Sequence, residues 1–585
     1  MLRKLPLRIA LAPVLILNLV ANPLILSAEQ TPADVPSITI RTNTRLVVVD
    51  VVVTDKKGQP VPGLKADEFT VEENGKKQKV SVFVPPGAAK PTAPTPVPPG
   101  VLSNHPENVG PAGIPTVLLL DAANSPFKDQ AYGRGEMLKY AAEQNLAGQS
   151  IAVVVLTDRL HVLQQFTNDP QILMTAIKKF RPQEQILQPT PPIPESSATV
   201  DIGPGAQSAL ALAAARAEVA SFANIQIAFE TERRTLITLD AMRSLTRMLG
   251  GLQGRKNVVW LTSDLPFDMI PKDRNVSDAE LATLLPVNGS QPPSTRGAGA
   301  IASEVRQLHG QEIQEAESQL ASANIAIYPV DLRGLVGGGM VAEYSAGHNN
   351  DMHGAGLANT ALRQSRGLIN SQDTMREVAA ETGGKTYMNQ NDIRLGVTLA
   401  AADEKASYAI GYYPENKKWD GKYRNIKVKV AQSDTEVRYR KGYFAVDSSQ
   451  EKNANYEQNV AAVLTFNVPA TQVSFMAQNK STGPGKAHVV FLVDAHTLTA
   501  EDSGGNKKMN VNLYASVFDS AGKSLTTRSI KVDRAFDAAT YQQILDHGMM
   551  VPIDLDIPTG GKELRLAVLD NKTGYIGAVN GPLGQ

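Results

Sequence analysis

Three oxygen-bearing side chains, Asp121, Asn124 and Ser125, close the short apolar run PTVLLLDAANS. Carboxylate, carboxamide and hydroxyl oxygens at this spacing can ligate a hard divalent cation such as Mg²⁺. The same residue types also cap a following helix, by accepting from its first free backbone N–H groups. The residues alone leave both readings open.

Other chemistries find no complete motif. Thr382-Gly383-Gly384-Lys385-Thr386 contains Gly-Lys-Thr, but a phosphate loop needs a glycine at position 379, which is Ala379. Neither H-E-x-x-H nor G-x-S-x-G occurs. Ser449 and Lys452 have S-x-x-K spacing, yet they lie in a polar linker without the partner motifs. His348 and His353 flank Asp351 in a Gly- and Asn-rich stretch, either as a transition-metal pair or as solvent-facing side chains. The chain has no cysteine, which removes disulfides, thiolate zinc sites, cysteine nucleophiles and a lipid-modified cysteine. The expectation is a protein that is not an enzyme, with a divergent secreted hydrolase as the remaining catalytic alternative. Lys+Arg and Asp+Glu are both 58, so the charge balance points to no nucleic acid and no anionic membrane surface.

The Asp121 cluster needs an element to place it. Thr116–Leu120 fits a strand buried on both faces of a parallel sheet. Asp121 then stands at the carboxyl end, where open α/β sheets bind ligands. A helix over Lys128–Asn145, a strand over Ile151–Leu156 and a short helix over Gln171–Phe180 follow. Val258–Leu261 is a third strand; a helix near 302–323 leads to a fourth, Ile325–Val330, and Thr386–Asn389 reads as one more. This alternation predicts an α/β fold with a doubly wound, mostly parallel, Rossmann-like sheet.

The flanks divide the rest of the 585 residues. Arg3, Lys4 and Arg8, the apolar stretch Ile9–Leu26 and the small pair Ser27-Ala28 read as a secretory signal peptide over 1–28. The chain is therefore expected to be exported, to the periplasm or cell surface, with no transmembrane segment left once the signal is removed. Residues 37–84 form an N-terminal β module with a hairpin at Asn74-Gly75. A Pro-rich linker spans 85–113. The α/β domain covers 114–403, with insertions at 183–230, 268–300 and 334–370. A β extension at 404–446 carries Tyr408, Tyr412, Tyr413, Tyr423, Tyr439 and Tyr443, as core aromatics or as a ligand platform. After a linker at 447–460, residues 461–585 read as an all-β, immunoglobulin-like sandwich.

Taken in order, DAANS, IAVVVLTDRLHVLQQFTND, GRKNVVWLTSD and IAIYPVDLRGL resemble a von Willebrand factor type A (VWA) domain. More narrowly, they resemble the VWFA-related acidobacterial domain family. LVVVDVVVTDKKGQPVPGLKADEFTVEENG and SYAIGYYPENKKWDGKYRNIKVKV resemble that family's flanking segments, so the likeness spans about 37–446. It implies a metal-ion-dependent adhesion site, with an Asp-x-Ser-x-Ser loop, a Thr from a second loop and an Asp from a third. Asp121 matches the first Asp, Ser125 the second Ser, and Asp264 the last Asp. Position 123 is Ala, so one ligand oxygen is missing, and Asn124 would compensate in part. No Gly-Gly-Thr loop is present; Thr235 or Thr238 would stand in. A bound Mg²⁺ would take an acidic side chain from a protein partner. The implied function is adhesion, protein–protein contact or envelope scaffolding. The alternative is a metal-independent structural or assembly protein of the envelope.

Overall fold

The computed structural model describes residues 46–87, 97–183, 229–266, 322–334, 371–446 and 455–583, apart from a few isolated positions, with scattered residues between 312 and 320. The expected signal peptide, most of the three insertions, His348, Asp351, His353 and the Ser449–Lys452 pair lie outside these. The described residues belong to one compact unit, 39–585. Among them, no helix is long and apolar enough to cross a membrane.

Five sheets make up the described residues, and four are wholly antiparallel. Strand accounts for 41% of the described residues and helix for 28%. This corrects the expected doubly wound, mostly parallel α/β fold: the described residues are mostly β, and the single mixed sheet among them is one of five. The physical reason lies at the turn after Ser150–Leu156. Thr157 N donates to the Arg159 carbonyl at 3.0 Å, and the chain returns at once as the antiparallel strand Leu160–Thr167. A tight turn replaces the helical crossover that another parallel strand would need.

The mixed sheet has the order Ile325–Asp331, Lys256–Thr262, Pro115–Asp121, Ser150–Leu156, Leu160–Thr167, with the first four parallel. Its central strands are buried on both faces, which is why they read as unbroken apolar runs. On one face Val117, Leu119, Val154 and Trp260 pack against Leu239, Met242, Leu245 and Leu249 of a helix at 229–249. On the other, Leu118 and Leu120 meet Met137 and Tyr140 of the Phe127–Glu143 helix and Leu173 and Ile177 of the Pro170–Lys179 helix. Tyr387 adds one parallel bridge, to Val330, in place of a full strand.

Two four-stranded sheets interleave distant parts of the sequence. Val47–Asp55 and Val80–Val84 flank Ser407–Tyr412, with Thr435–Arg438 on the outer edge. Phe69–Glu73 and Lys76–Gln78 join Tyr423–Val430 and Gly442–Phe444. Val49, Val51, Phe69, Val71, Tyr408 and Ile410 share the core between them. Tyr412 and Tyr443 both donate to Glu73 Oε2, beside the buried Arg424, so these tyrosines are core groups. The last two sheets face each other across Phe475, Phe491, Leu513 and Leu566. One of them takes its edge strand, Val101–Ser103, from the Pro-rich stretch.

Candidate functional site

The carboxyl edge of the mixed sheet gathers the singled-out residues. Pro115–Asp121 delivers Asp121 there, fully buried. The loop behind it is pinned at several points. The amides of Ala122 and Ala123 both donate to the Leu156 carbonyl, and Gln130 Nε2 donates to the carbonyls of Ala122 and Ser125. Asn124 N and Nδ2 donate to the two Asp121 oxygens, each at 2.9 Å, and Nδ2 also reaches Thr238 Oγ1 at 3.0 Å. That bonding fixes the amide orientation: a flipped Asn124 would set its carbonyl against the carboxylate.

A second strand supplies donors that the sequence did not advertise. Trp260 Nε1 donates to Asp121 Oδ2 at 2.9 Å. Thr262 Oγ1 lies 3.1 Å from Asp121 Oδ2 and 2.6 Å from the Asp264 carbonyl, and its single proton serves one at a time. Ser263 N donates to Ser125 Oγ at 3.0 Å, and Ser263 Oγ donates to Asp129 Oδ2 at 2.7 Å. Ser371 Oγ reaches the Ser263 carbonyl at 3.3 Å, which ties in the helix at 371–382. Beside it, Arg333 grips the buried Asp331 through both carboxylate oxygens.

Asp121, Asn124, Ser125, Thr238 and the 262–264 loop therefore meet in one knot. Asp264 and Thr235 stand differently. Asp264 turns its carboxylate outward to Arg234 Nη1 at 3.4 Å, while its backbone stays with Thr262. Thr235 Oγ1 donates back to the Thr231 carbonyl in its own helix.

A hard cation needs several oxygens with free lone pairs converging on one point. Here Asp121 Oδ2 faces N–H and O–H donors, and Ser125 Oγ accepts from a backbone amide. Among the buried oxygens of the knot, Asn124 Oδ1 alone has no partner. No cluster of three His, Asp or Glu placed to hold a metal occurs among the described residues. In this arrangement the residues do not fit a cation: the donors on Asp121 stand where positive charge would have to sit. Burial holds the Asp121 carboxyl above its ordinary value, with the bonds from Asn124, Trp260 and Thr262 acting in the opposite sense.

The segments that the knot ties together also carry exposed apolar side chains. Phe127 follows the pinned loop and is 52% exposed. Phe229 and Leu236, two turns apart on the helix that carries Arg234 and Thr238, are 63% and 42% exposed.

No family model and no curated protein matches the chain. Among solved structures, an aerotolerance-related membrane protein from Bacteroides fragilis is 13% identical, with TM-score 0.22, over 50% of this chain and all of its own. The PilB minor pilin from Streptococcus sanguinis is 11% identical, with TM-score 0.25, over 50% of this chain and 61% of its own. A von Willebrand factor type A protein from Catenulispora acidiphila is 9% identical, with TM-score 0.19, over 93% of this chain and 74% of its own. At these scores the likenesses decide neither fold nor function. The VWA resemblance has one weak structural neighbour beside it, and nothing found supports the narrower acidobacterial family.

Proposed function

We propose that this chain is an exported, non-enzymatic protein that binds a protein partner through the carboxyl edge of its mixed sheet, in an adhesive or scaffolding role at the cell envelope. One feature supports the reading. The Asp121 knot fixes three chain segments in place, and those segments carry the exposed Phe127, Leu236 and Phe229 and the Arg234–Asp264 pair. A rigid base carrying exposed apolar groups beside a charged pair is the composition of a protein contact, with an apolar centre and a polar rim.

The test is capture from the native envelope fraction with wild type and with a Phe229→Ser/Leu236→Ser variant whose circular dichroism is unchanged. A partner retained by wild type and lost by the variant supports the reading; equal capture by both overturns it. A cation-dependent version of the same contact requires Asp121 to release Trp260 and Asn124. Calorimetric titration of Mg²⁺ or Mn²⁺ into wild type and Asp121→Ala separates the two, since only the cation-dependent version predicts heat that the substitution removes.

A further inference from the structure

The outer face of the sheet formed by Val101–Ser103, Phe475–Gly483, Lys486–Val493 and Met549–Asp556 is apolar at one end and charged at the other. Alternation along each strand sends Phe475, Phe491 and Val551 into the sandwich core and their neighbours outward. The antiparallel register then lines up Met550, Leu492 and Met476 in one row across three strands. Pro552, Val490 and Gln478 form the next row, and Asp554, His488 and Lys480 a third. A solvated antiparallel face ordinarily carries polar side chains. Here Met550 is 69% exposed and Met476 37% exposed. Contiguous exposed apolar surface with a charged rim marks a contact site, and methionine adapts its shape to what it meets.

The charges indicate what it meets. Lys486–Val493 lies between Met549–Asp556, which carries Asp554, and Phe475–Gly483, which carries Lys480. A twofold axis along Lys486–Val493 sets Asp554 of one copy over Lys480 of the other, and the reverse. The same operation lays Met550 over Met476 and Leu492 over its own counterpart. Lys486 meets its own counterpart too, with Asp556 of each copy alongside. An axis across the strands would instead lay the apolar row on the charged one. Lys480 has no ion-pair partner among the described residues. Asp554 faces His488 Nδ1 at 2.7 Å, yet its side chain is 89% exposed.

We propose that this face is a self-association surface, on which a second copy of the chain docks face to face about the Lys486–Val493 strand. About this axis three strands overlap, about 4.8 Å apart and roughly seven residues long, which gives a shared face of roughly 340 Å² per copy. That lies below the roughly 800 Å² per partner of a standard interface, so the dimer is weak and reversible.

Sedimentation equilibrium of the full chain, from micromolar to near-millimolar concentration, tests it. Wild type should shift from monomer toward dimer with concentration, and Met550→Lys should stay monomeric. Lys480→Glu and Asp554→Lys should each weaken the dimer about tenfold, and the double swap should recover most of that loss. All of these positions are exposed or half-buried on a solvated face, so the fold should survive; circular dichroism checks this. A monomer at every concentration overturns the proposal, as does a dimer indifferent to Met550→Lys or a double swap that restores nothing. Docking of a different protein on this face without self-association counts against it equally.

Discussion

Trp260 donates its indole N–H to Asp121 from the neighbouring parallel strand, at 2.9 Å and wholly out of contact with water. The pair joins the centre of the sheet to the loop that ends it. A buried carboxylate without a cationic partner is costly unless donors surround it. Trp260 and Asn124 are those donors.

Removing either end of this bond should cost more than it would in an exposed pair. Trp260→Phe loses a donor to a buried acceptor together with ring volume, so a loss of about 2–4 kcal/mol is expected. Asp121→Ala should cost a similar amount. Because the two groups touch, a double-mutant cycle read by urea unfolding should give a coupling of about 1–3 kcal/mol. Additive costs would mean that the bond carries no weight.

Divalent cations should leave the fold indifferent. With the Asp121 and Ser125 oxygens already engaged, adding Mg²⁺ or a chelator should move the thermal midpoint of the purified protein by less than about 1 °C, since only a ligand bound by the folded state raises it. A saturable rise abolished by Asp121→Ala would restore the adhesion-site reading.

Lys256 gives an alkaline signature. Its ammonium is buried at the start of the Lys256–Thr262 strand, donating to the Ala323 carbonyl at 2.7 Å, and burial pushes its pKa down to about 8 despite the nearby Asp50. Between about 8 and 10.5 the unfolded chain therefore holds a proton that the folded one has released. Stability from this group should rise with pH through that window, by about 1–3 kcal/mol, and Lys256→Met should flatten the rise. Urea midpoints measured across the window decide it; parallel curves for the two proteins would refute the assignment.

Asn104 fastens the strand that comes from the Pro-rich stretch. Its Nδ2 donates to the carbonyls of Ala470 and Val473, and its Oδ1 accepts from Phe475 N, all buried. Asn104→Ala should destabilise the C-terminal sandwich by about 2–4 kcal/mol, because buried backbone groups lose their partners. Hydrogen exchange should speed up over 470–478 first. Uniform exchange rates across the mixed sheet and the sandwich would contradict this.

The central strands are legible because burial on both faces leaves their centres apolar and confines most polar residues to their ends. Pro115–Asp121, Ser150–Leu156, Lys256–Thr262 and Ile325–Asp331 each extend the apolar run read in the sequence by only a residue or two at an end. What those runs do not encode is how much of the chain lies in antiparallel sheets, and the doubly wound α/β class predicted from them gives way to a mostly β fold. Leu160–Thr167 shows why: a three-residue turn and a longer crossover can follow the same kind of strand. The Asp121 loop was found from its residue types, but Trp260 was not. A tryptophan in an apolar strand reads as core, and only the Leu119–Trp260 register brings its N–H near Asp121. Val101–Ser103 escaped notice for a different reason: three residues carry no periodicity.

The interleaving of distant segments also governs how the chain can be made. Leu64 N bonds Tyr408 Oη across 344 positions, and Asn104 bonds Val473 across 369. As a ribosome releases the chain from its N-terminus, Val47–Asp55 and Val80–Val84 must wait, apolar and unpaired, until residues beyond 400 emerge. Contacts of such long range form slowly. A chain stopped before Ser407 would therefore present these early strands as open sheet edges, prone to pair with one another.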